Sequence, residues 1–346
     1  MALHFEPVDL AEIDDRQLAE YPDRTIYQTV PWLTFVSSTQ NAEPVVAALQ
    51  ESGETIGYFT GLIVTRFGFR ILGSPFPGWS STYMGFNLHP GVSRSRALSA
   101  LTEFAFDGLN CHHLELMDRY LTPADYSEDE FETWWFESYE IDLEPTEDNL
   151  FKNMRHQTRG CVRKAERSGV VIEEANDPEF VDEYYAQLKH VFATKDRVPH
   201  FSVHRVRELL NCLLPTGRLL LLRARNEDGV CVSTGIFPFT DRVMYAWGQA
   251  SWRQYSNVRP NEALFWYGIS YARRRGLRVF DMVGGGDYKK KYGGTHIRIP
   301  WVRRSRSRRI AFLREKAETV LLSPQKALGK LVHFAQRISW AHLSAE

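Results

Sequence analysis

One order of elements occurs twice in this chain and limits the folds that it can adopt. In each half, β-rich segments separated by glycine and polar turns lead into a helix and then into one more strand. The first half has strands at 44–50, 55–66 and 69–73, a helix at 94–109 and a strand at 113–117. The second has strands at 219–224, 230–238 and 242–248, a helix at 260–275 and a strand at 278–283. The order predicts an α/β protein with mixed, α+β-type sheets in two similar units.

Local sequence and length agree with a division into two units. Each half also has a similar four-residue sequence in its second strand: Thr60-Gly-Leu-Ile63 in the first half and Thr234-Gly-Ile-Phe237 in the second. Gene duplication would explain this similarity, and convergence on one architecture would also permit it. A chain of 346 residues exceeds the roughly 250–300 at which single cores stop growing. We predict domains at 1–142 and 143–302, followed by a basic helical tail at 303–346.

Composition excludes several classes of protein. The formal net charge is −1, so any nucleic-acid or membrane contact must come from a local patch. The first residues lack the cationic and apolar regions of a signal peptide, and no apolar run approaches the roughly 20 residues that span a bilayer. The four cysteines form no Cys-x-x-Cys pair, which favours reduced, structural thiols. These features predict a cytoplasmic protein.

A basic helix follows the join between the halves. Thr146 suits a helix N-cap and Gly169 a helix end, and arginines recur every four residues at 155, 159, 163 and 167. Like charges at that spacing oppose the helix by roughly 0.2–0.5 kcal/mol per pair, so an anionic partner would stabilise it. Donor phosphates are one such partner, and a solvated basic face is the other interpretation.

The segment after the last strand of the second half combines glycines, tyrosines and lysines. It runs Phe280-Asp-Met-Val-Gly-Gly-Gly-Asp-Tyr-Lys-Lys-Lys-Tyr-Gly-Gly294. The glycines permit a tight turn or the close approach of a ligand, although the P-loop and the dinucleotide fingerprint are both absent. A flexible loop with solvated charges is the alternative. We predict no metal site, since His200 and His204 lack an accompanying acid. We also predict no serine-nucleophile elbow, since the sequence contains no Gly-x-Ser-x-Gly.

Two motifs in this chain resemble those of Fem-type transferases, which are double-GNAT-fold proteins. One is the basic helix Arg159-Gly-Cys-Val-Arg-Lys-Ala-Glu-Arg-Ser-Gly-Val170. The other is an aspartate-ending strand at Asp281, then glycines, then Tyr288-Lys-Lys-Lys-Tyr-Gly293. The tract from Trp247 to Gly276 also fits. The resemblance implies two tandem GNAT-like (acyl-CoA N-acyltransferase) domains and a GNAT-type N-acyltransferase activity.

The resemblance is strongest to the acyltransferases of envelope polysaccharide synthesis. It implies transfer of an acetyl or fatty acyl group from acyl-CoA, or from an acyl carrier, to an amine or hydroxyl of an envelope glycan, a lipid-linked acceptor or a related precursor. No permanently bound cofactor is expected. The usual GNAT pyrophosphate loop is not visible, which leaves the donor open. An aminoacyl-tRNA-dependent peptidoglycan aminoacyl transferase is the alternative, although the helical arm usual in that branch is absent.

The resemblance also assigns roles to particular residues. Lys289 would donate to the oxyanion, Tyr288 and Tyr292 would pack its site, and Asp281 would orient the acceptor or Lys289. Donor phosphates would bind Arg155, Arg159 and Arg163. Substrate binding is assigned to three residues of the 247–276 tract: Trp247, Asn261 and Tyr267.

The C-terminal residues suggest a further role. A helix at 325–343 would place leucines, a phenylalanine and an isoleucine on one face and basic residues elsewhere, as in helices on anionic lipid. Its apolar face packing back on the protein is the other interpretation. The arginines of 303–309 leave a non-catalytic nucleic-acid or lipid-binding protein as a third function.

Overall fold

The computed structural model describes residues 3–66, 68–76 and 80–314. The helices of this part are α1 Asp15–Leu18, α2 Val30–Gln40, α3 Arg94–Glu103, α4 Glu147–Asn153, α5 His156–Arg167, α6 Glu179–Ala193, α7 Val203–Leu213 and α8 Pro260–Arg274. The strands are β1 His4–Val8, β2 Glu43–Glu51, β3 Glu54–Arg66, β4 Phe69–Ser74, β5 Gly85–Leu88, β6 His113–Met117, β7 Glu132–Asp142, β8 Val171–Ala175, β9 Leu219–Arg225, β10 Cys231–Pro238, β11 Val243–Tyr245, β12 Gly248–Ser251, β13 Val279–Asp281 and β14 Thr295–Ser305.

The chain divides into two compact units, and each of them is built from segments that are separate in sequence. Among the described residues, the first unit holds 3–140, 283–287 and 295–312, and the second holds 141–282, 288–294 and 313–314. The expected join at 142 lies close to this division. The expected boundary at 302 instead falls inside β14, because that strand pairs antiparallel with β6 and β7 of the first unit.

The first unit is built on one mixed sheet. Its strands lie in the order β1-β2-β3-β4-β6-β14-β7, and β5 pairs with β3 beside this path. Strands β4 and β6 are parallel, with Gly73 opposite Glu115. Alternate strand residues and α3 bury the apolar core, in which Leu101 and Leu116 are fully buried. After Glu103 the helix continues as one wider turn, in which Leu109 N–H donates to Phe104 O at 2.8 Å.

The second unit repeats the order of the first. Its four-stranded sheet has the order β12-β10-β9-β8, and β11 pairs in parallel with β13. Strand by strand, β8 to β13 correspond to β1 to β6, and α8 occupies the place of α3 in the chain. The repeat predicted from the turn pattern is therefore present, and β1, β5 and β8 extend it.

Two predicted elements are broken in the structure. The expected helix 146–168 is two helices, because Met154 and Arg155 adopt extended backbone angles between α4 and α5. The expected strand 242–248 is interrupted at Ala246 and Trp247, where the chain leaves the β11 pairing and joins β10 as β12. The hydrophobic periodicity of the sequence does not reveal either break, because both depend on backbone hydrogen bonds to residues that are distant in sequence. The expected helix at 325–343 lies outside the described residues.

Candidate functional site

The break between β11 and β12 opens a fork in the second unit. Ala246 N–H donates to Asp281 O at 2.8 Å, whereas Trp247 N–H donates to Ile236 O at 3.2 Å. Adjacent residues therefore bond to different neighbours, and beyond this point β12 separates from the end of β13. We call this divergence of β12 from Asp281 and Met282 the second-unit fork.

One arm of the second-unit fork is an open strand edge. Within the described residues, β12 is one of the two edge strands of its four-stranded sheet. Trp252 N–H donates to Val232 O of β10, so alternation turns the N–H groups of Gln249 and Ser251 away from the sheet. An edge of this kind can bind an extended ligand through backbone hydrogen bonds.

The other arm carries a buried ammonium group. Lys289 is 6% exposed, and its Nζ donates to Met282 O at 2.6 Å. Burial lowers the pKa of Lys289 to about 8, and the negative charge of Asp281, which is fully buried, acts in the opposite direction. A lysine with that pKa is a strong hydrogen-bond donor that still carries its charge at neutral pH in most molecules.

The two tyrosines that flank Lys289 have different surroundings. Tyr292 is buried, its ring stacks on Phe265 at a centroid distance of 4.6 Å, and burial raises the pKa of its hydroxyl well above the ordinary value. Tyr288 is 60% exposed, and Lys289 Nζ lies 5.8 Å from its ring centroid. Tyr292 therefore anchors residues 288–292, which we call the lysine segment, in the core. Tyr288 is accessible to a ligand.

Lys291 is used to hold the segment in place. Its ammonium bonds Glu262 Oε1 of α8 at 2.7 Å, and its carbonyl accepts from Arg155 N–H at 2.9 Å. The second bond occupies the backbone at the break between α4 and α5. It explains why a helix that is continuous by local pattern stops at that point.

The predicted phosphate-binding arginines do not form one free stripe. Arg159 Nη1 donates to Lys152 O and Met154 O, at 2.6 and 2.5 Å, and thereby caps the end of α4. The guanidinium of Arg163 lies 5.4 Å from the Phe151 ring centroid. Arg155 and Arg163 are exposed, so these two side chains remain accessible to an anionic ligand.

We expect Arg159→Gln to reduce stability because the α4 carbonyls lose their charged partner. Two hydrogen bonds at about 1 kcal/mol each give a loss of roughly 1–2 kcal/mol in the free energy of unfolding. Urea unfolding would measure it, with Arg163→Gln as the exposed control on the same helix. Equal stability of the two variants would show that Arg159 does not cap α4 in solution.

The three predicted substrate-binding residues lie in different surroundings. Trp247 is half-buried at the second-unit fork, with its ring 6.3 Å from that of Phe201. Asn261, in the first turn of α8, accepts from Ser233 Oγ at 2.8 Å and donates to Ser251 Oγ at 3.1 Å. Tyr267 donates to Glu174 Oε1 of β8 at 2.9 Å. The contacts bring Trp247 and Asn261 to β12, whereas Tyr267 is tied to β8 at the other edge of that sheet.

Two features of the candidate site cannot be predicted from residue identity. The Met282 carbonyl and the β12 edge are backbone groups, which residue identity does not reveal. A weak signal was available, because the predicted strand 242–248 contains Gly248 directly after Trp247.

Among the described residues, no group of three or more histidine, cysteine, aspartate or glutamate side chains is placed to hold a metal ion. In the same part of the chain, no helix combines the length and the apolar character needed to cross a membrane.

The arginines of 303–309 are largely engaged within the first unit. Arg303 is buried, bonds Glu132 at 2.5 Å and lies 4.2 Å from the Trp134 ring centroid. Arg304 pairs with Glu130 at 3.0 Å, and Arg306 with Asp107 at 3.1 Å. These bonds disfavour the interpretation of the run as a nucleic-acid patch.

Comparison with known proteins agrees with this geometry. Residues 152–292 match the family model of the acetyltransferase (GNAT) domain. No protein with a curated description matches the sequence.

Solved structures share the fold over most of the chain. FemX is similar with a TM-score of 0.70 and 14% identity, covering 87% of this chain and 97% of that one. L-PGS from Bacillus licheniformis gives 0.53 and 12%, with 87% and 95% covered. A tandem GNAT protein of the clavulanic acid biosynthesis pathway gives 0.52 and 12%, with 87% and 97% covered.

At these identities the structural matches establish the fold, and the expected pair of GNAT-like units is confirmed. The matched segment contains the basic helix, the second-unit fork and the lysine segment. Residues 152–292 therefore form an acetyltransferase (GNAT) domain, and over 87% of its length the chain has the fold of FemX and of a tandem GNAT protein.

Proposed function

We propose that the second unit transfers an acyl group from acyl-CoA, or from an acyl carrier, to an amine or hydroxyl of an envelope glycan, lipid or related precursor. The observation that carries the proposal is the buried Lys289 ammonium at the second-unit fork of a GNAT domain. An acylated protein residue is not required, because the acceptor attacks the donor directly.

The proposed binding site of the acyl donor lies along the open edge of β12. An extended, amide-containing chain can accept hydrogen bonds from the outward N–H groups of Gln249 and Ser251. Such a chain would end beside Trp247, where β12 and β13 separate. Phosphates of the donor would bind exposed arginines, for which Arg155 and Arg163 are the candidates.

The chemical step needs one stabilised anion and one proton transfer. The acceptor nitrogen or oxygen forms a bond to the carbonyl carbon, and the carbonyl oxygen takes the electron pair and becomes an oxyanion. The Lys289 ammonium would donate a hydrogen bond to this oxyanion. The oxyanion then re-forms the C=O bond as the C–S bond to the donor breaks, and the departing thiolate takes up the proton that the acceptor lost.

Neighbouring residues would serve Lys289 rather than the substrate. The Asp281 charge opposes the effect of burial on Lys289 and so keeps its ammonium protonated at neutral pH. Tyr292 fixes the segment by stacking on Phe265. Tyr288, being exposed, is the one of this group that can contact acceptor or donor.

A second candidate is transfer from aminoacyl-tRNA. The fold that this chain shares with FemX supports it, since the resemblance to Fem-type transferases implies this donor as the alternative. The same Lys289 would stabilise the oxyanion, but the leaving group would be a ribose hydroxyl.

We expect acyl-CoA to be the donor that turns over. Purified protein would be offered radiolabelled acetyl-CoA, a long-chain acyl-CoA and aminoacyl-tRNA in parallel, each with and without an envelope glycan extract. Release of coenzyme A that depends on the protein and increases with the extract is the expected result. Turnover of aminoacyl-tRNA alone would establish the second candidate, and turnover of no donor would contradict the proposed activity.

A further inference from the structure

The first unit has an edge strand in the position that β12 occupies in the second. β5 pairs with β3 as β12 pairs with β10, and in each unit the strand lies beside the end of a parallel pair. His89 N–H donates to Ile56 O of β3, so alternation turns the N–H groups of Phe86 and Leu88 away from the sheet. The first unit therefore has a corresponding fork.

Carboxylates of the chain itself occupy this corresponding edge. Asp118, directly after β6, accepts from Phe86 N–H at 2.8 Å. Asp23 accepts from Leu88 N–H at 3.1 Å. Both outward N–H groups of the strand are thus satisfied internally, and both carboxylates are buried, at 7% exposure for Asp23 and 1% for Asp118.

A guanidinium joins the two carboxylates. Arg94, the first residue of α3, donates through Nη2 to Asp23 Oδ2 at 2.6 Å and through Nε to Asp118 Oδ1 at 3.0 Å. Asp118 Oδ1 also accepts from Tyr120 N–H at 2.8 Å. We call Asp23, Arg94 and Asp118 the carboxylate plug.

The backbone is shaped to admit the plug. Gly85 has φ +75°, and a Cβ atom at this position would collide with the Asp118 carboxylate. The first residue of β5 is therefore one that lets the aspartate reach the strand. No equivalent carboxylate bond to β12 occurs among the described residues of the second unit, where Gln249 and Ser251 face outward.

We infer that the carboxylate plug closes the first unit to the acyl donor, so that one donor binds per chain, in the second unit. This inference rests on the proposed function for its account of the donor. Two outward N–H groups that are already bonded to buried, charge-paired carboxylates offer nothing to the carbonyls of an extended ligand. Opening the site would break both bonds and expose two buried carboxylates that are paired with Arg94, which is costly.

Hydrogen exchange tests the inference in the intact protein, with coenzyme A as the probe. In the free protein, we expect the amides of Phe86 and Leu88 to exchange at least tenfold more slowly than those of Gln249 and Ser251. Coenzyme A should slow exchange in peptides covering 248–251 and leave peptides covering 85–88 unchanged. Calorimetry should give one coenzyme A per chain, and Ser251→Pro, which removes an outward donor, should abolish that binding rather than halve it.

The outcomes separate the two proposals. Fast exchange at Phe86 and Leu88 in the free protein, protection of 85–88 by coenzyme A, or two binding sites per chain would each overturn the plug. Slow exchange at 85–88 with no effect of coenzyme A on either segment would uphold the plug. That result would instead count against acyl-CoA as the donor. A plug variant is not needed, so misfolding of the first unit cannot confuse the result.

Discussion

Lys289→Met should lower kcat roughly 10²-fold, which is the usual cost of removing one oxyanion donor. The substitution keeps the length and apolar stem of the side chain but removes the ammonium that bonds Met282 O. Lys290→Met is the matched control, because that lysine is the exposed neighbour in the same segment. Steady-state kinetics with the donor that turns over in the assay above would compare the two variants. Equal activity of Lys289→Met and the wild type would remove Lys289 from the reaction.

The pH dependence identifies which form of Lys289 acts. An oxyanion donor must be protonated, and the pKa of Lys289 is about 8. The activity that depends on Lys289 should therefore fall as the pH rises through about 8. A general base would give the reverse, an increase in activity over the same range. The Lys289→Met variant should lose the part of the pH–activity profile that depends on the titration of this lysine.

Stability should respond in the opposite sense from activity. The folded pKa of about 8 lies below the ordinary 10.5, so the unfolded chain binds more protons between these values and stability rises with pH there. Carrying the charge at pH 7 costs the fold roughly 3 kcal/mol. Lys289→Met loses one hydrogen bond, worth about 1 kcal/mol, but removes that cost. We expect unchanged or increased stability, and a clear loss would mean that the ammonium is a structural group.

Sequence reasoning reached the architecture because it depends on repeated local patterns. Glycine turns and apolar alternation marked β2, β3 and β9 to within one or two residues, and Pro260 marked the start of α8. The break between α4 and α5 and the break between β11 and β12 were not predicted, because long-range backbone hydrogen bonds cause them. Arg155 N–H meets Lys291 O, and Ala246 N–H meets Asp281 O, and neither bond leaves a trace in hydrophobic periodicity.

The sequence motif proposes side chains for the site, but it does not reveal the backbone groups around them. Lys289 and Asp281 follow from the family motif, whereas the burial that lowers the pKa of Lys289 follows from packing alone. The carboxylate plug shows the same limit. Asp118 directly follows a strand that was predicted correctly, but only the pairing of β5 with β3 brings Phe86 N–H to its carboxylate.

Arg94→Met should produce the largest loss of stability among the substitutions considered. The substitution leaves Asp23 and Asp118 buried without their shared cation, and breaking a buried ion pair from one side costs about 3–5 kcal/mol. Arg96 provides the control two residues along α3. It pairs with Glu51 at 2.7 Å, but its side chain is 52% exposed, so Arg96→Met should cost less than about 1 kcal/mol.

The measurement should follow the first unit separately, because the two units need not unfold together. Urea unfolding monitored by hydrogen exchange in peptides from β2 and β3 would do so. Burial already raises the pKa of Asp23 above 3.8, and loss of the guanidinium would raise it further. The folded variant then binds more protons than its unfolded chain, so its deficit should shrink as the pH falls toward 3.8. A deficit that is small at pH 7, or that does not change with pH, would show that the charges of the plug are not buried as a unit.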